Sequence, residues 1–440
     1  MTLKDKKVGV ISLGCDKNRV DTEKMLFKLS TAFTLTANIE DAEIIVINTC
    51  AFLESARAEA IGETLSCNAL RNGKLEKIVM TGCLPQKYID EIFDDLVEVD
   101  AFLGVSDYDK IVTAITEIYQ GKRVKYVGEQ KNEKIDGRVR TTDGYAYLKI
   151  ADGCSNHCTY CLIPSIRGKY RSVPICELVS EAQSLGEVSE LILVAQDVTA
   201  YGKDIGTDLV TLLTELVKLD NVGAIRLLYC YPENITDNLI DFIASNQKII
   251  RYLDIPFQHA DDGILKLMNR KGTGEGYLNL IKKLRSRIDG VAIRSTFIAG
   301  FPTEDEQAFN NLLDFIAKAK LFNAGFFAYS KEYGTPAYKL PNQVLARTKT
   351  ARVKKLYSAQ KKVVKGLLGS FVGQTLEVTV DGFNGVCYEG RAYFSAPDID
   401  GKVFLTGEVE MQVGKKYNAK ITTVKDYDLF GTVTENNYET

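Results

Sequence analysis

Short apolar runs alternate with amphipathic stretches along the first 120 residues of the chain. Three runs are continuously apolar, which predicts buried parallel strands. These runs span residues 8–12, 44–48 and 78–81. The stretches between them repeat apolar residues with a helical period, at residues 18–29, 54–68 and 107–119. The alternation predicts an N-terminal α/β domain with an open parallel sheet over residues 5–121.

A second, longer series of β–α units begins after a polar and charged stretch at 121–143, which is typical of a linker. The six predicted strands are 145–150, 191–195, 224–229, 251–255, 291–298 and 324–329. The predicted helices between them include 174–185, 209–219, 277–288 and 304–319. Because successive crossovers are right-handed and lie outside the sheet, this pattern predicts a partial (β/α)6 barrel over residues 140–369.

The texture changes again beyond residue 370, where short segments alternate apolar and polar residues. The five predicted strands are 375–380, 390–393, 403–406, 416–423 and 429–433. Turn signals stand at Asp381-Gly382 and Asp400-Gly401. A small antiparallel β-barrel of the OB type is therefore expected over residues 372–440, and the fold class is α/β with three domains.

Length and composition agree with this division. The chain has 440 residues, more than a single core usually holds, and its net charge of −3 argues against a globally basic nucleic-acid binder. The N-terminal segment has no long apolar stretch, and no later run approaches the roughly 20 residues of a membrane span. We expect a cytoplasmic protein whose clustered cysteines are metal ligands rather than disulfides.

One short loop carries the most specific chemical signal. Residues 153–161 read Gly-Cys-Ser-Asn-His-Cys-Thr-Tyr-Cys, which places Cys154, Cys158 and Cys161 in a C-x3-C-x2-C spacing. Soft thiolate ligands select zinc or an iron–sulfur cluster. Zinc would need a fourth ligand such as His157, whereas a cubane held by three cysteines keeps one iron open for a substrate. The loop follows the first barrel strand, on the face where barrel enzymes do their chemistry.

A second set of three cysteines occupies equivalent positions in the first domain. Cys15, Cys50 and Cys83 each lie just past the carboxyl end of a predicted strand, where open α/β sheets place ligands. Gly14 and Gly82 would let the backbone approach a bulky group. The alternative is simple packing at strand ends, because cysteine is often buried. The remaining cysteines are interpreted as packing residues, namely Cys67, Cys176, Cys230 and Cys387.

Other residues at or near the carboxyl ends of the barrel strands are candidates for a cavity lining, among them Gln196 and Gly300. Gly300 precedes Phe301-Pro302 and could equally be part of a turn. Arg226 and Arg294 lie within apolar strands, where a lone arginine is costly unless it is paired. Either a cofactor carboxylate or a buried acid would satisfy them.

Charge is distributed unevenly in the last hundred residues. The helical segment 344–369 carries eight Lys and Arg and no acid, which indicates either a solvated face or an RNA contact. The predicted barrel has eleven Asp and Glu against six Lys and Arg. Such a barrel should repel phosphate and attract a basic partner.

The cysteine loop, with Tyr160 before its last cysteine, resembles the radical S-adenosylmethionine enzymes. Over essentially its full length the chain resembles the methylthiotransferases of that superfamily, which join a three-cysteine domain, a partial barrel and a TRAM domain. The resemblance rests on three motifs, Ser12-Leu-Gly-Cys15-Asp-Lys-Asn18-Arg-Val-Asp21-Thr-Glu23, Asn48-Thr-Cys50-Ala-Phe and Cys161-Leu-Ile-Pro164-Ser-Ile-Arg167-Gly168. These motifs are most similar to the members that modify an aspartate of ribosomal protein S12.

The resemblance implies two [4Fe–4S] clusters, one on Cys154, Cys158 and Cys161 that cleaves S-adenosylmethionine, and one on the N-terminal cysteines that handles sulfur. It implies that S-adenosylmethionine is both radical source and methyl donor. The residues expected to contact it are Tyr160, Gln196, Arg226 and Gly300.

The substrate implied is ribosomal protein S12, free or on the small subunit, methylthiolated at the β-carbon of an aspartate. The implied partners are a low-potential electron donor such as a flavodoxin and a sulfur source, with the enzyme a monomer. Two alternatives remain: a tRNA methylthiotransferase, and a non-catalytic iron–sulfur electron carrier, which would need four ligands per cluster.

Overall fold

The computed structural model describes residues 3–132, 135 and 137–433. The last seven residues of the predicted C-terminal domain, 434–440, lie outside the described residues. The described chain forms three domains in sequence order, and the predicted α/β class is confirmed.

The N-terminal domain is built on a six-stranded, all-parallel sheet with strand order β2-β1-β3-β4-β5-β6. The strands are β1 (Lys7–Ser12), β2 (Thr34–Leu35), β3 (Ile44–Thr49), β4 (Lys77–Gly82), β5 (Ala101–Leu103) and β6 (Val124–Tyr126). The helices are α1 (Asp16–Ser30), α2 (Glu54–Asn68), α3 (Cys83–Ile92) and α4 (Ile111–Tyr119). Strand β3 is buried along its whole length, as its continuous apolar run predicts.

Four elements of this domain were not predicted from the sequence, namely strands β2, β5 and β6 and helix α3. Strand β6 lies in the segment predicted to be a linker, and it extends the sheet by pairing in parallel with β5. Helix α3 was not predicted, and it begins at Cys83 directly after β4. The sheet therefore extends past residue 121, and the third cysteine stands at a helix start.

The central domain contains a second six-stranded parallel sheet, with order β14-β13-β12-β11-β10-β7. Its strands are β7 (Tyr145–Lys149), β10 (Glu190–Val194), β11 (Ile225–Leu227), β12 (Ile249–Asp254), β13 (Ala292–Ala299) and β14 (Asn323–Ala328), with a small separate pair formed by β8 (Ala151–Asp152) and β9 (Arg171–Ser172). Its helices are α5 (Ile163–Arg167), α6 (Ile175–Ser184), α7 (Leu209–Leu216), α8 (Asp237–Ser245), α9 (Asp262–Leu267), α10 (Gly274–Arg287), α11 (Glu306–Ala319) and α12 (Ala346–Gly369). Edge strands β7 and β14 do not pair, so the barrel is open on one side.

The C-terminal domain is a closed five-stranded barrel with order β15-β16-β17-β19-β18. Its strands are β15 (Thr375–Phe383), β16 (Tyr388–Arg391), β17 (Val403–Gly407), β18 (Lys416–Lys425) and β19 (Asp428–Val433). Four of its strand pairs are antiparallel as expected, but β17 and β19 pair in parallel. In the described part of the chain, no helix combines the length and apolar character that crossing a membrane requires.

The C-terminal five-stranded barrel is called the small barrel below, and the open barrel of the central domain is called the half barrel. The small barrel closes the amino-terminal end of the half barrel through buried charge pairs. Glu190 of β10 accepts hydrogen bonds from Arg226 and from Arg391 of the small barrel. Asp400 accepts from Arg294 at 3.2 Å and from the hydroxyl of Tyr252 at 2.6 Å. Asp400 is one of the eleven acids whose excess predicts a basic partner, but its side chain is 1% exposed and holds two domains together. The acidic surface of the small barrel is thus smaller than its composition indicates.

This contact gives the stability of the protein a specific pH dependence. Burial alone would raise the pKa of Glu190, but Arg226 and Arg391 lower it to about 2 from its ordinary value of 4.5. The charged form is therefore favoured by about 3 kcal/mol in the folded state above pH 4.5, and this stabilisation disappears as the pH falls toward 2. We expect Glu190→Gln to lower the free energy of unfolding near pH 7, and the difference from wild type to shrink below pH 4.5. Denaturant titrations of the apoprotein at several pH values measure this.

The matched control for this prediction is Glu187→Gln, because Glu187 is an exposed carboxylate three residues away. Its effect should be small at every pH. A Glu190→Gln deficit that stayed constant between pH 7 and pH 3 would contradict the ionic interpretation of the contact.

Candidate active site

The cysteine loop follows β8 and is held by backbone hydrogen bonds from several segments. The N–H of Cys154 donates to the carbonyl of Gly168 at 3.0 Å, and the N–H of Thr159 donates to the carbonyl of Met268 at 3.1 Å. The side-chain amide of Asn269 donates to the carbonyl of His157 at 3.0 Å. The loop conformation is therefore fixed by the protein, which preorganises the thiols for a ligand.

The three thiols of this loop form one electrostatic group. Cys154, Cys158 and Cys161 are all partly buried. Burial, with a smaller contribution from the neighbouring thiols, raises the pKa of Cys154 to about 11 and that of Cys161 to about 12. Such thiols are protonated at neutral pH unless a metal takes the sulfur, in which case the proton is released. The donor set fits an iron–sulfur cluster.

The zinc alternative finds no support in the geometry. The side chain of His157 is exposed, and its backbone has a positive φ of 51°. Within residues 3–132, 135 and 137–433, no three His, Cys, Asp or Glu side chains are arranged to hold a single metal ion. A cubane does not need such convergence, because each of its three thiolates binds a different iron.

The structure also brings the three N-terminal cysteines together. Cys15 stands at the N-cap of α1, Cys50 follows β3, and Cys83 is the first residue of α3. Burial raises the pKa of Cys83 to about 12, and the Cys50 and Cys15 thiols contribute to that increase. A Cβ on Gly14, at φ +94°, would lie 2.7 Å from the Cβ of Cys50, and one on Gly82 would meet the strand beside it. Both glycines permit this convergence, although the groups they approach belong to β3 and to Cys50 just after it.

Arg167 joins the two cysteine sites, and its role was not recognised in the sequence. Its guanidinium is buried and donates to Asp152 of β8 at 2.9 Å and to Asp21 of α1 at 3.0 Å. It also donates to Asn18 at 2.7 Å and lies 3.6 Å from the sulfur of Cys83. Asp152 lies two residues before Cys154, so the single cation of Arg167 contacts residues at or next to both cysteine sites.

The contacts of Arg167 belong to a network of buried ion pairs. Burial would raise the pKa of Asp152, but Arg167 and Lys149 hold it well below its ordinary value. Lys149 forms ion pairs with both Asp21 and Asp152. Two cations and two carboxylates from two domains therefore balance one another between the cysteine sites.

Gln196 lies beside the same carboxylate, as expected for a residue near the carboxyl end of β10. Its side-chain amide donates to Asp152 at 3.2 Å. Its Oε1 atom is buried and has no hydrogen-bond partner among the described residues. An orphaned buried acceptor next to the cysteine loop fits a residue that binds a cofactor.

Arg270 is a further candidate that the sequence analysis missed. It lies in the loop between α9 and α10, where no periodic pattern marks it. Its guanidinium stacks 3.9 Å from the ring centroid of Tyr231 and donates to the carbonyl of Pro256 at 2.8 Å. Its Nε is buried without a hydrogen-bond partner in the described chain. Tyr160 and Cys158 are among the groups that raise its pKa, so this cation faces the cysteine loop.

Tyr160 itself has a packing role in addition to its place in the loop. Its ring packs against a small apolar cluster that contains Met268, Phe301 and Tyr329. Burial raises the pKa of the Tyr160 phenol well above its ordinary value. The ring therefore anchors the loop to the carboxyl end of β13, and a cofactor contact remains a prediction.

Gly300 follows β13 in a locked turn. Its N–H donates to Glu304 at 2.8 Å, and a Cβ at this position would lie 2.4 Å from the side chain of Lys349. Glu304 is further held by His259 at 3.2 Å and by Arg352 at 2.7 Å. The N–H of Gly300 is used within the turn, and a contact of Gly300 with S-adenosylmethionine remains a prediction.

The structure contradicts the assignment of Arg226 to the cofactor. Arg226 bonds to Glu190 and to the carbonyl of Tyr393, at the end of the barrel opposite the cysteine loop. Arg294 likewise pairs with Asp254 and Asp400. Both arginines are satisfied by buried acids, which is the alternative that their apolar surroundings left open.

The four other cysteines do not join either site. Cys67 and Cys230 are buried, as expected for packing residues. Cys387 is partly buried in the small barrel, whereas Cys176 is exposed on α6 and is not a packing residue.

Three family matches cover the three domains. Residues 7–104 match the uncharacterized protein family UPF0004, residues 148–316 the radical SAM superfamily, and residues 372–434 the TRAM domain. The radical SAM match contains the cysteine loop at residues 154–161, and the UPF0004 match contains all three N-terminal cysteines.

Solved structures of similar fold include two radical S-adenosylmethionine enzymes. The methyltransferase TsrM from Kitasatospora setae superposes with a TM-score of 0.56 at 14% identity, over 76% of this chain and 77% of that one. The cobalamin-dependent enzyme OxsB gives a TM-score of 0.51 at 12% identity, over 83% of this chain and 56% of that one. At these identities the likeness shows the fold alone.

Curated relatives are much more similar in sequence. The ribosomal protein uS12 methylthiotransferase RimO of Acetivibrio thermocellus is 44% identical over 97% of this chain and 98% of its own length. The proteins of the same name from Clostridium botulinum and Clostridium kluyveri are 43% and 44% identical, with the same coverage. Identity of this extent across all three domains establishes that the chain belongs to the RimO family of radical S-adenosylmethionine methylthiotransferases.

Proposed function

We propose that this enzyme is a transferase that inserts a methylthio group at the β-carbon of an aspartate residue in ribosomal protein uS12, also called S12. The observation that carries the proposal is the presence of two groups of three thiols, with buried Arg167 beside Cys83 of one group and bonded to Asp152, two residues before Cys154 of the other. The near full-length similarity to the uS12 methylthiotransferases supports the choice of substrate.

The two thiol groups would hold two [4Fe–4S] clusters. Cys154, Cys158 and Cys161 would hold the cluster that binds S-adenosylmethionine, and the N-terminal cysteines would hold the sulfur-handling cluster. When bound, the clusters and S-adenosylmethionine supply radical chemistry that abstracts hydrogen from an unactivated C–H bond, which no protein acid or base achieves. The chain contributes binding, orientation and charge balance.

Residues around the cysteine loop are suited to bind S-adenosylmethionine. The unpartnered Nε of Arg270 provides a buried cation for a carboxylate, and the unpartnered Oε1 of Gln196 accepts a hydrogen bond from an ammonium or a hydroxyl group. Tyr160 packs against the apolar cluster behind the loop.

Arg167 supplies positive charge at the N-terminal site. Its Nη2 atom lies 3.6 Å from the Cys83 sulfur and stabilises negative charge there. We assign the handling of the transferred sulfur to this site, with S-adenosylmethionine also consumed as the methyl donor. We further propose a low-potential electron donor such as a flavodoxin, a separate sulfur source, a cytoplasmic location and a monomeric state.

The proposal is tested with anaerobically reconstituted enzyme, S-adenosylmethionine, a reductant and sulfide. Unmodified S12 and unmodified tRNA are incubated in parallel and analysed by mass spectrometry. We expect a methylthio group on one aspartate of S12 and none on tRNA. A methylthio group on a tRNA adenosine, with S12 unchanged, would establish the alternative substrate instead.

A further inference from the structure

Helix α12, which connects the half barrel to the small barrel, has two sharply different faces. One face packs against α11 and β14. The buried side chains of that face are Arg352, Leu356, Gln360, Val364 and Leu368. Their spacing of four residues forms a single stripe along the helix, so the opposite side is turned to solvent.

The solvent side of α12 carries only positive charge. Arg347, Lys354, Lys361 and Lys365 follow one another at intervals of seven, seven and four residues, which places them within about 40° of each other around the helix. Lys355 and Lys362 lie beside them. These six exposed residues extend over about 27 Å of helix, and α12 contains no acidic residue. We call these six residues the basic face.

The basic face is not neutralised by neighbouring acids. Within the described ranges, only Lys361 of these six residues forms an ion pair, with Asp426 at 2.5 Å. By contrast, on other barrel helices Lys318 pairs with Asp314 and Lys283 with Asp237. An ordinary solvated helix face mixes both signs of charge, so a long stripe of one sign indicates an anionic ligand.

The position of α12 places this stripe next to the active site. Close to Arg347, in the first turns of the helix, Lys349 donates to the carbonyl of Tyr329 at 2.8 Å and its side chain lies against Gly300 at the carboxyl end of β13. The far end of α12 contacts β18 of the small barrel. A ligand that follows the basic face would therefore run from the barrel mouth, where the cysteine loop lies, to the small barrel.

A membrane surface does not fit this helix. A helix that binds lipid needs an apolar face to insert below the headgroups. The apolar face of α12 is already buried against the half barrel, where Leu356 and Val364 have almost no exposure. What remains is a charged stripe that matches a regularly spaced row of negative charges, such as a nucleic-acid backbone.

We infer that the basic face of α12 binds the phosphate backbone of ribosomal RNA that flanks S12, so that the enzyme docks on the assembled small subunit. This inference rests on the proposed function, because it concerns the form in which that substrate is presented. Contacts to phosphate provide affinity and orientation and do not read sequence.

The test uses a variant in which four exposed, unpaired lysines become glutamine: Lys354→Gln, Lys355→Gln, Lys362→Gln and Lys365→Gln. The control removes four exposed lysines on or next to α7, α10 and α11: Lys218→Gln, Lys282→Gln, Lys283→Gln and Lys318→Gln. Both variants change the net charge equally. Binding of the reconstituted holoenzymes to small subunits that carry unmodified S12 is measured at several salt concentrations, together with kcat/KM on the subunits and on free S12.

We expect the α12 variant to bind small subunits at least 10-fold more weakly at low salt. Its plot of log affinity against log salt should be flatter by about 0.7–0.9 for each phosphate group that the variant no longer neutralises. Its kcat/KM on free S12 should equal that of wild type, and the control variant should resemble wild type on both substrates.

An unchanged salt slope, or an equal loss of affinity in the control variant, would overturn the inference. Binding of wild type to vesicles of anionic phospholipid through the same lysines, without binding to small subunits, would also overturn it. A failure of the proposed function would be distinguishable, because the wild-type enzyme would then modify neither free S12 nor S12 on the small subunit.

Discussion

Replacing Cys154, Cys158 and Cys161 together with alanine is expected to abolish formation of 5′-deoxyadenosine and to remove about half of the iron, about four of about eight atoms per chain. The three side chains lie on one loop whose backbone is held by Gly168 and Met268, so the apoprotein should keep its fold. Without thiolates at these positions no cluster can bind S-adenosylmethionine. Iron analysis and chromatography of the reaction products measure both effects.

The matched control is the double variant Cys176→Ala and Cys387→Ala, which removes two cysteines outside both sites. It should keep full iron content and full cleavage of S-adenosylmethionine. If the triple variant still produced 5′-deoxyadenosine at the wild-type rate, the cysteine loop would not be the cofactor site.

Replacing Cys15, Cys50 and Cys83 together with alanine is expected to affect product formation but not cleavage of S-adenosylmethionine. Iron should again fall by about half, but S-adenosylmethionine should still be cleaved while methylthiolated S12 disappears. Cleavage should persist because Arg167 keeps Asp152, Asp21 and Asn18 as partners after Cys83 is replaced. The ion-pair network beside the cysteine loop therefore keeps its charge balance.

This second prediction is checked by measuring 5′-deoxyadenosine and modified S12 in the same reaction. A variant that formed methylthiolated S12 at undiminished turnover would reduce the N-terminal cysteines to packing residues. A variant that failed to cleave the cofactor as well would mean that the two sites are not separable in the way their geometry indicates.

Much of the fold follows from local patterns in the sequence. Continuous apolar runs identified the central strands of both sheets, and the carboxyl ends of those strands correctly placed Cys15, Cys50 and Cys83 in one neighbourhood. Strands β2, β5 and β6 were missed because they have only two or three residues each, and helix α3 because Pro85 lies near its start and the helix is kinked at Tyr88.

Interactions between domains were much harder to predict. Asp400 was misassigned because its partner Arg294 is distant in sequence and belongs to another domain. Arg226 was misassigned because the sequence does not mark its pairing with Glu190 of β10 or its bond to the carbonyl of Tyr393 in the small barrel. Charge counts alone placed Asp400 on a docking surface, whereas the structure buries it against Arg294. Arg270 escaped notice for a related reason, since only the folded loop shows that its guanidinium faces the cysteine loop.

The bridge made by Arg167 has a consequence for the order in which the protein is completed during synthesis. Cys83 and Arg167 are 84 residues apart in the chain, and they belong to different domains. At a synthesis rate of about 5–20 residues per second, the last of the three thiols leaves the ribosome about 4–17 s before the arginine that faces it. The first domain can therefore fold before its cysteine site is electrostatically complete. The chain thus reaches the state suited to hold a cluster at Cys15, Cys50 and Cys83 only once the second domain has begun to form.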